Sequence, residues 1–135
     1  MLIGSIISVL ILVITGVCIL LYFSNKPTEY TLQNGFLNIS GMYGQDIPLY
    51  EINSLEMKET MPKVLLKTNG SALRNIYKGY FKIEYLGKTK LFLDVSKPPF
   101  IFLWCKTQII ILNCNDREKT KMFYEKLRKE WENSK

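Results

Sequence analysis

The sequence predicts a mainly β domain behind one apolar helix: an antiparallel barrel or sandwich of about seven strands, capped by a C-terminal α-helix. Three observations predict it. Residues 2–23 contain no Asp, Glu, Lys or Arg and are rich in Leu, Ile and Val. From Tyr30 to Asn113, short β-prone runs alternate with turns carrying Gly, Asn and Pro. From Asn115 onward, apolar residues recur every three or four positions, the period of a one-sided helix.

The apolar stretch comes first. A helix rises about 1.5 Å per residue and a bilayer core is about 30 Å thick, so residues 2–23 are long enough to span it. Tyr22 and Phe23 stand where interfacial aromatics stand, and Asn25, Lys26 and Pro27 follow them. A cleaved secretory signal needs a basic start and a small-residue cleavage site, and neither is present. A lipoprotein signal ends in a small residue before Cys, whereas Cys18 follows Val17. A buried core helix of this length is out of scale with so small a protein. The expectation is an uncleaved, single-pass membrane anchor over 2–23, a polar linker over 24–29 in which Pro27 stops the helix, and one domain over 30–133. Lys26 follows the span and no charged side chain precedes it, so the positive-inside rule places the domain in the cytoplasm of a cell-membrane protein.

The strands follow in order. Tyr30–Gln33 meets Phe36–Ser40 across Asn34-Gly35, the strongest two-residue hairpin signal. Asp46–Leu49 leads into Ile52–Met57, where Leu55 and Met57 share one face. Thr60 to Pro62 break that strand, and Val64 to Lys67 begin another. Thr68 to Gly79 reads as an irregular stretch, its Asn69-Gly70 and Gly79 suited to turns. Tyr80 to Leu86 alternates, with Phe81, Ile83 and Tyr85 on one face and Lys82 and Glu84 on the other. Leu91 and Leu93 point inward from Thr89–Asp94. Phe100–Cys105 and Gln108–Asn113 form a last hairpin, apolar on both faces. It fits a strand buried on both sides, or an apolar face left for a partner. Asn115 and Glu118 then make a capping box, and Met122, Phe123, Leu127 and Trp131 form the helix's buried stripe.

Composition excludes several activities. The sequence has no histidine, which removes the commonest general base and metal ligand. Cys18, Cys105 and Cys114 form no CxxC pair, so neither zinc nor redox chemistry is supported. Cys105 and Cys114 fall out of register with each other and read as free thiols of a reducing compartment. Phosphate loops, nucleophile elbows, HExxH and EF-hand patterns are missing, and no cofactor is implied. Lone candidates such as Ser71 and Asp94 have no activating neighbour in the sequence.

The order of elements and several strings resemble the bacterial pleckstrin-homology-like (PH-like) domain family. The strings are Asp46-Ile47-Pro48-Leu49-Tyr50-Glu51-Ile52, Lys67-Thr68-Asn69-Gly70 and Lys78-Gly79-Tyr80-Phe81, followed by the apolar hairpin and the helix from Asp116. The resemblance runs from about Tyr30 to Trp131 and departs at Lys67, where the family often has arginine. It implies seven strands capped by a helix, frequent attachment to transmembrane segments, and no enzymatic activity. It implies no particular ligand.

Charge gives the best functional signal. The formal net charge is +6. Lys63, Lys67, Arg74, Lys78, Lys82, Lys88 and Lys90 stand against Glu84 alone, while the remaining charges balance. If residues 68–79 form a rim loop, Lys63, Lys67, Arg74 and Lys78 converge on an anionic lipid headgroup, with Arg74 as its bidentate ligand. The alternative is that strand lysines such as Lys82 and Lys90 merely solvate an outer face. Two readings follow. One is a non-enzymatic, membrane-anchored module that binds a protein partner or its own copy through Phe100, Phe102 and Trp104. The other is recognition of anionic headgroups by the basic rim. Nucleic acid is not an expected partner, because regularly spaced aromatic platforms are missing from the basic segment.

Overall fold

The computed structural model describes residues 2–25 and 28–135, with side chains for residues 3–20 and 28–135. The expected helix stop at Pro27, the flanking charge of Lys26 and the interfacial side chains of Tyr22 and Phe23 lie outside that description. Helix α1 runs over Leu2–Asn25. None of its Ile3–Leu20 stretch is buried against the rest of the chain, so it is not a core helix. It is long and apolar enough to cross a membrane. Ser8 Oγ donates to the Gly4 carbonyl at 3.0 Å and Thr15 Oγ1 to that of Ile11 at 2.8 Å, so both hydroxyls are satisfied within the helix. Such back-bonding lets a hydroxyl sit in an apolar medium.

Among the described residues, nine strands form two sheets. The smaller has β1 (Tyr30–Gln33), β2 (Phe36–Ile39) and β3 (Gln45–Pro48) in that order. The larger comprises β4 (Ile52–Lys58), β5 (Val64–Leu73), β6 (Ile76–Ile83), β7 (Gly87–Asp94), β8 (Phe100–Cys105) and β9 (Ile109–Leu112). Its spatial order is β4-β8-β9-β7-β6-β5. Helix α2 (Arg117–Asn133) ends the chain. The expected class, a mainly β domain with a C-terminal helix behind an apolar one, is borne out.

The larger sheet separates two apolar clusters. On one face Phe92, Ile101, Leu103, Ile110 and Leu112 meet Leu37, Ile39 and Ile47 of the small sheet and Tyr124 and Leu127 of α2. On the other, Phe81, Ile83, Leu91, Leu93, Phe100, Phe102 and Ile111 pack together. All seven belong to the larger sheet, so that face is closed by the sheet's own curvature and its connections rather than by a second layer. This is why the last hairpin is apolar on both sides.

Several expectations are corrected. Residues 68–79 are not an irregular loop: β5 and β6 form a long hairpin that turns at Arg74-Asn75, where Arg74 takes φ 56°. Gly70 and Gly79 lie opposite each other within it. A Cβ on Gly79 would stand 2.6 Å from Gly70 Cα, so these glycines permit a close crossing instead of a turn. The sheet is not wholly antiparallel, since β7 pairs with β9 in parallel. Asp116, not Asn115, caps α2, its side chain accepting from the Glu118 amide at 3.3 Å. The buried stripe of α2 is Thr120, Tyr124 and Leu127, with Phe123 and Trp131 partly buried, while Met122 is exposed. Tyr85 is likewise exposed, in the β6–β7 turn at φ 69°. The Asn34-Gly35 hairpin holds, with φ 53° and 77° as a type I′ turn requires.

Cys105 and Cys114 are free and half-buried. Burial, helped by the nearby Glu51 charge, pushes the Cys105 thiol up to about 11. The thiolate is the reactive species, so at about pH 8 Cys105 is expected to alkylate roughly 100-fold more slowly than an exposed thiol. Timed labelling with mass spectrometry checks this. Equal rates before and after denaturation would count against it.

Candidate functional site

The residues expected to form a basic rim do not come together. Lys63 precedes β5, and its carbonyl accepts from the Glu84 amide at 2.9 Å. Arg74 sits at the opposite end of the same hairpin. With strand rises of about 3.3 Å per residue, the two are roughly 30 Å apart, too far for one headgroup. Lys67 pairs with Phe81 and shares its face, whereas Lys78 pairs with Phe92 on the other. Lys78 is also buried, at 3 % exposure. The expected partner face fares similarly: Phe100 and Phe102 are 3 % and 1 % exposed within the second cluster. Trp104 is only partly exposed and packs against that cluster. These aromatics are apolar because they are core.

A different basic site is assembled by β6 and β7. Their register places Lys82 opposite Lys88 and Tyr80 opposite Lys90, and Phe92 lies one row further along the same face. Alternation therefore puts Lys88 and Lys90 on the face that holds Phe92 and the first core cluster. The three-stranded sheet covers Phe92 and its neighbours, and Lys90 lies at the margin of that cover. There β3 supplies Gln45, whose Oε1 accepts a hydrogen bond from Lys90 Nζ. Lys90 Nζ also lies 5.2 Å from the Tyr80 ring centroid and 5.3 Å from that of Phe92. Lys88 Nζ stands 4.6 Å from the same Tyr80 ring.

Tyr80 thus divides a basin in two. One concavity, of about 410 Å³, is lined by Gln45, Tyr80, Lys88, Lys90, Thr107 and Gln108. Its neighbour, of about 520 Å³, is lined by Thr68, Asn69, Tyr80, Lys82, Gly87 and Lys88. Ammonium groups, an aromatic face, side-chain amides and hydroxyls make up the walls. Neither lining includes a carboxylate.

The electrostatics of this basin are unusual for a merely structural surface. Lys90 is 5 % exposed, and burial lowers its pKa from the usual lysine range. Its partners are an amide oxygen and two aromatic rings, all uncharged. Like charges directly opposite on neighbouring strands are destabilising, and Lys82 and Lys88 are such a pair. The ion pairs Lys58–Glu56, Arg117–Glu59 and Arg128–Glu132 lie elsewhere. A group bearing negative charge would relieve both costs. The arrangement can bind an anion, and it offers no nucleophile paired with a base.

The basin's position relative to the first strand of the domain is also defined. Tyr30, the first residue of β1, pairs with Ile39, and Ile39 pairs with Gln45. At about 4.8 Å per strand, Gln45 lies roughly 10 Å from the start of the domain. Tyr30 is fixed there: its hydroxyl is shared between the Phe92 carbonyl at 3.0 Å and the Asn113 carbonyl at 3.1 Å, and its ring stacks on Phe123. Burial, with a smaller contribution from Cys114, holds the Tyr30 pKa well above its ordinary value.

Two β-sheets of three and six strands with a C-terminal helix make a PH-like domain. A family model described as the bacterial PH domain matches residues 28–128, and the chain belongs to that family. Searches of curated proteins and of solved structures gave no match.

Proposed function

We propose that this chain is a non-enzymatic, membrane-anchored interaction module that holds an anionic group in the basin around Tyr80. Helix α1 anchors it, and the domain lies on the cytoplasmic side. The observation that carries the reading is Lys90: a lysine at 5 % exposure whose partners are all neutral. Lys88 and Lys82 add point charges, Gln45 and Gln108 supply amides, and Thr68 and Thr107 supply hydroxyls. This set fits a phosphate attached to a hydroxylated group better than it fits a peptide. The reading through a protein partner at Phe100, Phe102 and Trp104 loses its support once those rings are core.

The ligand's phosphate can come from a lipid headgroup or from a soluble ester, and one experiment separates them. The full chain is held in uncharged detergent micelles and its unfolding temperature is followed. Phosphatidylglycerol, phosphatidylcholine or glycerol 3-phosphate is added in separate series. A rise with phosphatidylglycerol alone identifies a lipid source, and a rise with glycerol 3-phosphate as well identifies the free ester. Stabilisation at a ligand concentration about 100-fold above Kd is about 2.7 kcal/mol, enough for a shift of several degrees. Lys88→Glu is expected to abolish the rise. Equal effects of phosphatidylcholine, a rise that survives Lys88→Glu, or no rise with either phosphatidylglycerol or glycerol 3-phosphate would overturn the proposal.

A further inference from the structure

Strand β5 is an edge of the six-stranded sheet, bonded to β6 on one side only. Near its start, Leu65 and Leu66 are 51 % and 59 % exposed. Edge strands ordinarily carry charge or cover to prevent adventitious pairing, and two adjacent exposed leucines are the reverse of that. Leu66 lies opposite Lys82, which lies opposite Lys88, so leucine and lysines form one row across β5, β6 and β7. Lys63 and Lys67 flank the leucines along the strand and are exposed. The result is an apolar lip with a basic border.

The lip stays close to α1. Four residues separate Asn25 from Tyr30. A fully extended chain of that length spans at most about 18 Å, so a domain tethered by a membrane-crossing helix cannot leave the headgroup region. Helix α1 comes close to β5 in this structure. Register breaks occur between Val64 and Leu66 and between Lys67 and Asn69. They interrupt the regular hydrogen-bond row that a second β-strand would need for pairing at this end. Apolar side chains bordered by lysines suit the boundary between acyl chains and anionic headgroups, where stems lie in the apolar layer and ammonium groups reach the phosphates.

We infer that Leu65 and Leu66 seat the domain on the bilayer from which α1 emerges, as a lip inserted at the acyl–headgroup boundary. The occupant is the lipid surface itself. This contact is separate from anion binding around Tyr80, although Lys82 and Lys88 border both. A seated lip turns the row of Lys82 and Lys88 toward the headgroups and keeps β5 from pairing with other chains.

The test places an environment-sensitive fluorophore on Leu66→Cys in the full chain, with Cys18, Cys105 and Cys114 changed to Ser, in single-chain nanodiscs. A matching label on Met122→Cys serves as reference, since Met122 is also exposed and apolar but lies on α2. A quencher carried on the lipid acyl chains is expected to quench position 66 at least about twofold more than position 122, as interfacial insertion requires. Leu65→Glu with Leu66→Glu, read through a label on Lys63→Cys, should remove the difference without lowering the unfolding temperature in detergent. Equal quenching at 66 and 122 overturns the inference. So does shielding of position 66 that appears only when two chains share a disc, which would make the occupant a second copy. Quenching at 66 that persists in Lys88→Glu supports the seat even if the anion site has failed its own test.

Discussion

Gly79→Ala is expected to remove about 4 kcal/mol of stability and to lower the unfolding temperature by on the order of 20 °C. Two costs combine. Gly79 has φ +106°, a conformation that a residue with a Cβ adopts only under strain of about 1–3 kcal/mol. Its new methyl would also stand 2.6 Å from Gly70 Cα and 2.7 Å from the Asn69 carbonyl oxygen, both backbone atoms of a paired strand. Neither can step aside without separating β5 from β6. Gly35→Ala is the control, because Gly35 has φ +77° but no atom within 4 Å of the place its methyl would take. That change should cost about 1 kcal/mol, from conformation alone. Thermal unfolding of the full chain in neutral detergent, followed by circular dichroism, separates them. Similar losses for the two variants would mean that the close crossing is not what Gly79 serves.

These two hairpins show where the sequence is legible and where it is not. Asn34-Gly35 is readable because a two-residue loop between alternating runs has one economical solution, a type I′ turn. Asn69-Gly70 carries the same dipeptide, yet Gly70 lies within a strand opposite Gly79. Local chemistry marks a glycine as special without saying whether φ or proximity is the reason, and proximity depends on a residue nine positions away. The parallel pairing of β7 with β9 is equally invisible, since it joins strands that are not consecutive. The cap of α2 shifts by one residue because Asn115 and Asp116 are both good caps, and packing of Thr120 and Tyr124 selects the phase.

The site is less legible than the fold. The excess of basic residues between Lys63 and Lys90 locates the right third of the chain. It does not identify which side chains meet, because that depends on register. Lys67 and Lys78 belong to one hairpin and still face opposite ways, since the register shift between Lys67 and Asn69 resets the alternation of β5. Lys82 and Lys90 fit a solvated outer face by sequence alone, and the small sheet instead brings Gln45 onto Lys90. One signal is available. Lys88, Lys90 and Phe92 share parity on one strand, and a lysine in line with a buried aromatic is drawn into the core's margin. The apolar hairpin misleads in the opposite sense, because a sheet with a core on each face leaves no polar alternation in β8 to read.

Asn113→Leu is expected to be nearly as damaging as the change at Gly79, at about 3–4 kcal/mol, for a reason in polar chemistry rather than space. Asn113 is 5 % exposed. Its Oδ1 accepts from the Asp94 amide at 2.9 Å, and its Nδ2 donates to the carbonyls of Asp94 at 2.9 Å and Lys97 at 3.0 Å. One side chain thus holds the end of β7 and the connection to β8. Leucine has similar bulk but leaves the Asp94 amide and the Lys97 carbonyl without this partner in a place that water reaches poorly, while the Asp94 carbonyl keeps the Lys97 amide at 3.1 Å. Tyr30→Phe is the informative comparison, because the Tyr30 hydroxyl also reaches this corner. The Phe92 carbonyl keeps a second bond, from the Asn113 amide at 3.1 Å, so that change should cost only about 1 kcal/mol. Amide hydrogen exchange at Asp94 gives a direct readout: it should accelerate strongly in Asn113→Leu and little in Tyr30→Phe. Unchanged protection in Asn113→Leu would show that the corner is held by the strands alone. If protection falls as expected, the end of β7 and its connection to β8 are held by the Asn113 side chain and its backbone partners.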